Sequence, residues 1–415
     1  MRISELYSIF KLYPKICTNS REITPNCIFF ALRGQKFNGN KFAEDAIKKG
    51  AAYAVIDQKV YKKNKNTILV KNTLNTLQDL AKYHREKLKI PVLGITGTNG
   101  KTTSKELISC VLKSKKTIYS TKGNLNNHIG VPLSILEINN KHEIAIIEMG
   151  ANKQKEIDFL CEIAKPTHGV ITNIGLAHLK GFKNIDGVTK TKTELYKYLR
   201  KHNGHVFVNY YDKKLNVLAE GINKTIYGEK YKIHENNNMF MNLKYKNTIY
   251  KSQLVGKYQA HNISLAITIG KYFNIPEINI QSAILNYIPS NNRSQIIKTK
   301  HNTIILDAYN ANPSSMNAMI KSFAEQNKEN KICILGDMLE LGQASKEMHK
   351  QIIVLTNKLK IQCIFVGNEF YSINKSSYKN VDFLTKYLKK NPLKNQTILI
   401  KGSRGIALEK IVNYL

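Results

Sequence analysis

At 415 residues the chain is too long for one ordinary hydrophobic core, so two or three domains are expected. A hydrophobic fraction of 42% with 23% charged residues reads as globular and soluble, and the absence of any run of about 18 apolar residues predicts no membrane span. The formal net charge of +34 invites a nucleic-acid reading; because the lysines are spread along the whole chain instead of forming one stripe or tail, compositional drift explains them as well, and no nucleic-acid partner is expected.

The opening segment, Met1-Arg2-Ile3-Ser4-Glu5-Leu6, lacks the apolar core of a secretory signal, and the six cysteines (17, 27, 110, 161, 333 and 363) form no C-x-x-C pair. Both features suit a reducing cytoplasm and argue against a disulfide framework or a zinc site. Residues 1–85 mix short strands and helices and end in a helix-like stretch, Leu74 to Lys89. An apolar run, Ile90-Pro91-Val92-Leu93, then leads into Gly94-Ile95-Thr96-Gly97-Thr98-Asn99-Gly100-Lys101-Thr102-Thr103 and a helix-like segment, Ser104 to Leu112. Strand, glycine loop and helix together make a phosphate cradle: glycines allow a tight turn that points N–H groups at an anion, and the helix N-terminus adds partial positive charge. Lys101 can reach the β- and γ-phosphates of a nucleotide, and the Thr102 hydroxyl can ligate Mg²⁺. The loop is a short form, T-G-T-N-G-K-T, since Ile95 stands where the longer P-loop pattern would place its first glycine.

Further strands are predicted at Glu143–Glu148 and Gly169–Asn173, and alternation of strands with helices implies a mostly parallel sheet covered on both faces. Thr96, Glu148 and Asn173 fall at carboxyl ends of strands, where such sheets bind ligands. Glu148 could complete a Mg²⁺ shell begun by Thr102. His178 follows a strand by one short loop; taken alone, a histidine there is more often a packing or capping residue. Lys192 and Glu194 begin a helix-like segment and, taken singly, read as surface charges. His202 and His205 flank Asn203-Gly204 at a turn. His261-Asn262, in a helix-like stretch, suits a cap or a base contact. Residues 227–255, rich in lysine and asparagine, predict peripheral hairpins. Pro289–Asn292 reads as a linker, and Arg293 after it could swing onto a γ-phosphate as domains close. Strand–helix alternation then restarts: strands at Thr303–Asp307, Lys331–Gly336, Cys363–Gly367 and Thr397–Gly402, a helix at Ser314–Glu325 and a closing helix. The fold class expected is α/β in three domains: a small α/β domain over 1–85, a central P-loop ATPase domain with a mostly parallel sheet over 86–289, and a Rossmann-like domain over 290–415. The last lacks G-x-G-x-x-G, so no dinucleotide is expected there.

Taken together these segments resemble the Mur ligases, the ATP-dependent amide-forming enzymes of peptidoglycan synthesis, nearly from end to end. The loop at 96–102 matches theirs. Gly123–Leu133 (G-N-L-N-N-H-I-G-V-P-L), Asp307–Pro313 (D-A-Y-N-A-N-P) and Leu335–Gly342 (L-G-D-M-L-E-L-G) resemble the members that add D-alanyl-D-alanine. The resemblance implies a small UDP-sugar-binding domain at the start, with Ser20 and Arg21 on the substrate. It implies ATP held by Gly97, Thr98, Asn99, Gly100, Lys101, Thr102, Thr103, His261, Asn262, Arg293 and Asp307. Two Mg²⁺ ions would be held by Thr102, Glu148, His178 and a carbamylated Lys192. Asn126, Asn127, Tyr309, Asn310 and Asn312 would face the peptide substrates, and Lys101, Lys192, His178 and Arg293 would serve catalysis. Asn19 stands where the family commonly has aspartate, Asn38-Gly39-Asn40 where D-G-H is common, His128 where glutamate is frequent and Lys155 where glycine is.

The implied reaction joins D-alanyl-D-alanine to UDP-N-acetylmuramoyl-tripeptide through an acyl phosphate, in a cytoplasmic monomer. Three alternatives remain at this point. The ligase adding the third amino acid lacks D-x-Y-N-A-N-P. Folylpolyglutamate synthase lacks the UDP-binding-like segment. A basic P-loop ATPase acting on nucleic acid would use the +34 charge.

Overall fold

The computed structural model describes residues 1–176, 179–182, 184–234, 239–326 and 329–415. Three α/β units follow one another, each built on its own sheet. In the first, strands Lys15–Cys17, Cys27–Phe30, Tyr53–Ile56 and Thr67–Leu69 lie side by side in that order, all parallel. Cys27–Phe30 is buried along its whole length, as a central parallel strand covered on both faces should be.

The central unit is a six-stranded parallel sheet in the spatial order Asn223–Tyr227, His205–Asn209, His168–Ile171, Val92–Thr96, Ile144–Glu148, Ile118–Ser120. Both Val92–Thr96 and Ile144–Glu148 are buried at every position, each a continuous apolar run up to its last residue, Thr96 or Glu148. From Val92–Thr96 the chain fills one side of the sheet and then crosses to the other. The carboxyl ends of Val92–Thr96, Ile144–Glu148 and His168–Ile171 therefore open onto the switch point where ligands bind in open α/β sheets. The glycine loop leads there into helix Lys101–Lys113, which packs against helix Gln259–Tyr272. A three-stranded antiparallel sheet (Lys232–His234, Asn242–Tyr245, Thr248–Tyr250) occupies the stretch expected to form hairpins.

The third unit is a five-stranded sheet, Gln295–Lys298, Thr303–Asp307, Thr397–Lys401, Lys331–Gly336, Gln362–Val366, with only the first strand antiparallel. The closing segment is not an α-helix. It forms 3₁₀ turns at Arg404–Ile406 and Leu408–Tyr414, because Ala407 between them sits in the left-handed region at φ 58° and interrupts the ladder.

The first unit is fastened to the second through helix Thr73–Lys87. Arg85, buried on that helix, donates to the carbonyls of Ala164 at 2.8 Å and Lys165 at 3.0 Å. These are orphan carbonyls at the end of helix Glu156–Ala164, so the guanidinium completes that helix while joining the units. Gln78 Nε2 donates to His128 O at 2.9 Å, and His84 Nε2 to Ile138 O at 2.7 Å. Burial holds the His84 pKa below its ordinary value, which keeps the ring neutral at the seam. Among the described residues no helix is long and apolar enough to cross a membrane.

Candidate active site

A cleft of about 1130 Å³ opens between the carboxyl ends of the central sheet and those of the C-terminal sheet. The glycine loop forms its floor. Gly97 has φ 143°, and a Cβ there would collide with the Thr172 hydroxyl; Gly100 has φ 79°, with Asn262 Oδ1 2.9 Å from where a Cβ would stand. Only glycine suits both positions. The loop is clamped from the strand beside it. Thr98 N donates to Asn173 O at 3.0 Å, Asn99 N to Asn173 Oδ1 at 3.0 Å, and the Thr172 hydroxyl to Asn99 O at 2.6 Å. Lys101 Nζ folds back onto its own loop, donating to Gly97 O at 2.7 Å and Thr98 O at 3.0 Å. Burial lowers its pKa, and Glu148 opposes that shift.

At the end of strand Ile144–Glu148, the Glu148 carboxylate accepts from the Thr102 hydroxyl at 3.0 Å and from Asn126 Nδ2 at 2.8 Å. Lys105, one helical turn beyond Lys101, comes within 3.9 Å of the same carboxylate and donates to Thr121 O at 2.7 Å. Thr121 in turn accepts from Glu148 N at 3.0 Å. A carboxylate and a hydroxyl side by side, both buried, are hard oxygen donors of the kind Mg²⁺ takes, so this pair fits that ion. Among the described residues no three His, Cys, Asp or Glu side chains gather around one point. The expected contribution of His178 falls outside the described residues.

Lys192 ends helix Ile185–Lys192 and lines the cleft, with a relative exposure of 3%. Its ammonium sits 5.9 Å from the Phe182 ring and forms no hydrogen bond with a described residue. Burial, reinforced by Lys101, pulls its pKa down to about 7. Glu194, two residues on, has a different task. Its oxygens accept from Lys155 N at 2.8 Å and Asp158 N at 2.9 Å, pinning the start of helix Glu156–Ala164. Lys155 occupies the left-handed region at φ 67°, which accounts for the glycine that the family pattern favours there.

The far wall comes from the C-terminal unit. Arg293 lies 3.6 Å above the Tyr309 ring. Asp307 accepts from Lys401 Nζ at 2.6 Å and from Ser294 N at 3.1 Å, while Lys401 also donates to Asn310 O at 3.2 Å. Asn312 joins the two walls: Nδ2 donates to Asn99 Oδ1 at 2.7 Å, while Oδ1 caps helix Pro313–Ala324 through Ser315 N at 2.9 Å. Asn99 Nδ2 donates to Ser314 Oγ at 2.8 Å, so the glycine loop grips the C-terminal unit directly. Behind the loop, Asn262 accepts from Ser104 Oγ at 2.9 Å and donates to Gln259 Oε1 at 2.7 Å. His261 Nδ1 accepts from Asn209 Nδ2 at 3.2 Å, which leaves Nε2 to carry the proton of a ring kept neutral by burial.

Thr98, Asn99, Gly100, Lys101, Thr102, Thr103, Glu148, Lys192, His261, Asn262, Arg293 and Asp307 thus all line one cleft, as do Asn126, Asn127, Tyr309, Asn310 and Asn312. Gly97 shapes the loop beneath. Ser20 and Arg21 lie elsewhere, in a turn of the first unit where Arg21 N donates to Asn19 Oδ1 at 3.1 Å. Asn40 is buried and latches that unit, accepting from Asp57 N at 2.9 Å and donating to Asp57 Oδ1 at 2.9 Å. Sequence reasoning gave no role to Asn209, Lys105, Thr121 or Thr172; of these only Thr172, beside a predicted strand end, carried a signal.

Within the motif at 335–342, Glu340 lines the cleft, whereas Asp337 has a structural task. Asp337, buried, accepts from Glu369 N at 2.9 Å and Phe370 N at 3.0 Å, and so caps helix Asn368–Ile373 across the sheet. His349 Nε2 accepts from Met338 N at 3.0 Å. Asp337→Ala is expected to lower unfolding stability in urea by about 2–3 kcal/mol, the cost of orphaning one buried and one half-buried donor at a helix start.

Known proteins share this fold. Residues 13–85 match the family described as Mur ligase family, catalytic domain, residues 95–270 the Mur ligase middle domain, and residues 292–404 the Mur ligase glutamate ligase domain. UDP-N-acetylmuramoyl-tripeptide–D-alanyl-D-alanine ligase of Buchnera aphidicola subsp. Baizongia pistaciae is 37% identical, covering 96% of this chain and 92% of its own length. The crystal structure of MurF from Acinetobacter baumannii superposes with a TM-score of 0.85 at 26% identity, over 96% of this chain and 92% of that one. MurF ligase from Thermotoga maritima, solved in complex with ADP, gives a TM-score of 0.83 at 26% identity over 97% of both chains.

Proposed function

The chain belongs to the Mur ligase family, and from that premise we propose that it uses ATP to join D-alanyl-D-alanine to UDP-N-acetylmuramoyl-tripeptide. The observation that carries the reading is the single cleft in which the glycine loop and the Arg293–Asp307 wall, from different units, face each other across the Asn99–Asn312 bond. The units serve as a UDP-sugar domain over 1–85, an ATP domain over 86–289 and a ligase domain over 290–415, in a cytoplasmic monomer.

Amide formation needs an electrophilic carboxyl group. An oxygen of the tripeptide carboxylate attacks the γ-phosphorus, forming the acyl phosphate as the bond to ADP breaks. The dipeptide amine then attacks the acyl carbon, loses a proton, and phosphate leaves. Lys101, released from its loop carbonyls, and Arg293, lifted from Tyr309, neutralise charge on the transferring phosphoryl group. Thr102 and Glu148 would hold one Mg²⁺, and His178 with a carbamylated Lys192 a second; these ions supply charge neutralisation to the phosphates. Asn126 and Lys105 keep the Glu148 carboxylate oriented. The Asn99 bonds to Asn312 and Ser314 draw the walls together and exclude water, to which an acyl phosphate is vulnerable.

Phosphate release measured with a panel of amines tests this function. D-alanyl-D-alanine should support turnover far better than diaminopimelate, lysine or glutamate, whereas preference for a single amino acid would sink it. DNA or RNA should leave ATP hydrolysis unchanged, since dispersed lysines provide only salt-sensitive, non-specific phosphate contacts.

A further inference from the structure

We propose that Arg404 binds the terminal carboxylate of the incoming dipeptide and so makes a free carboxylate a condition for efficient ligation. This rests on the ligase reading above and adds the residue that selects the amine substrate. That substrate brings a negative charge into the cleft, and the cations lining it can be sorted by what already holds them. Lys101 belongs to the glycine loop. Lys401 is neutralised by Asp307 at 2.6 Å. Lys192 is buried and Arg293 is stacked on Tyr309. Lys213 opens the helix Lys213–Leu218 on the other wall.

Arg404 remains. It is exposed and lines the cleft, and its guanidinium forms no hydrogen bond or ion pair with a described residue. Its position is nonetheless fixed by a braced turn. Ser403 N donates to Asp337 O at 3.1 Å, Ser403 Oγ accepts from Leu339 N at 2.9 Å, and Ile406 N closes onto Ser403 O at 2.9 Å. The braced backbone holds Arg404 at the cleft, and its exposed guanidinium, with no hydrogen bond to a described residue, is the planar fork that suits a carboxylate. Distance agrees. The Arg404 and Arg293 guanidinium carbons lie 5.4 Å and 3.6 Å from the same Tyr309 ring centroid. Their separation therefore cannot exceed the sum of those distances, and a dipeptide spans about 7 Å from amine to carboxylate. Once Arg293 leaves Tyr309 for the γ-phosphoryl group, Arg404 stays beside that ring, within the cleft, to receive the dipeptide carboxylate.

The test compares kcat/KM for D-alanyl-D-alanine and D-alanyl-D-alaninamide in wild type, Arg404→Ala and Arg404→Lys. Wild type should prefer the free acid by about 30- to 100-fold, as expected for a charge-assisted bidentate contact. In Arg404→Ala that preference should fall towards one, through a raised KM for the acid, and Arg404→Lys should lie between. Equal losses for acid and amide, or full discrimination retained by Arg404→Ala, would overturn the proposal. A wild-type enzyme that ligates neither compound would remove the ligase reading itself and this assignment with it.

Discussion

Lys101→Ala should abolish product formation while the protein stays folded. The ammonium is the only side-chain cation inside the glycine loop, and it already sits against two loop carbonyls at the start of helix Lys101–Lys113. Its charge is worth most when negative charge moves onto the phosphoryl oxygens, which the ammonium, released from those carbonyls, neutralises inside the cleft. Removing one hydrogen-bond donor to such developing charge costs about 10²–10³-fold in kcat, and removing a full charge should cost more. The fold should tolerate the change, since burial disfavours the charged form in the free protein. Urea unfolding should give a midpoint close to wild type, while phosphate release falls to background. Near-normal turnover would remove the ATP site from this loop.

Lys192→Ala should lose most activity, and acetate should restore part of it. The side chain is buried, lines the cleft and has no hydrogen-bond partner among the described residues. A free ammonium there would repel Mg²⁺, whereas a carbamate, made from neutral amine and CO₂, presents anionic oxygens. The sign of the pH effect follows from the pKa, lowered to about 7 by burial and by Lys101. Below that value the amine is protonated and cannot react; above it the neutral form dominates, several units before an exposed lysine would reach that state. With ¹³C-bicarbonate, a carbamate resonance should therefore grow between about pH 6 and 8 and be missing from Lys192→Ala. An Ala variant with wild-type turnover, or no carbamate signal at any pH, would make Lys192 an ordinary lysine.

The glycine loop was legible in the sequence because its chemistry is contiguous: tight turn, cation and hydroxyl occupy seven successive residues. Glu148 was legible because a charge ending an apolar run marks a strand end. The grip of Asn99 on Asn312 and Ser314 was not, since those partners lie more than two hundred residues away and asparagine carries no periodic signal. Asn209 behind His261 was hidden for the same reason. Glu194 read as a surface charge because spacing cannot reveal that a neighbouring helix begins against it. The motif at 335–342 drew attention through its resemblance to a family pattern, yet Asp337 spends its carboxylate on a helix start. A family motif by itself does not distinguish a ligand contact from a cap.

The most direct measurement labels the carboxylate of the tripeptide substrate with ¹⁸O and analyses the phosphate released on ligation to D-alanyl-D-alanine. Attack by that carboxylate on the γ-phosphorus transfers one labelled oxygen to each phosphate, and the product amide keeps the other. One ¹⁸O per phosphate, formed in step with the ligated product, is the predicted result. Unlabelled phosphate, or phosphate released equally well without the dipeptide, would contradict a cleft built to activate a carboxylate for an incoming amine.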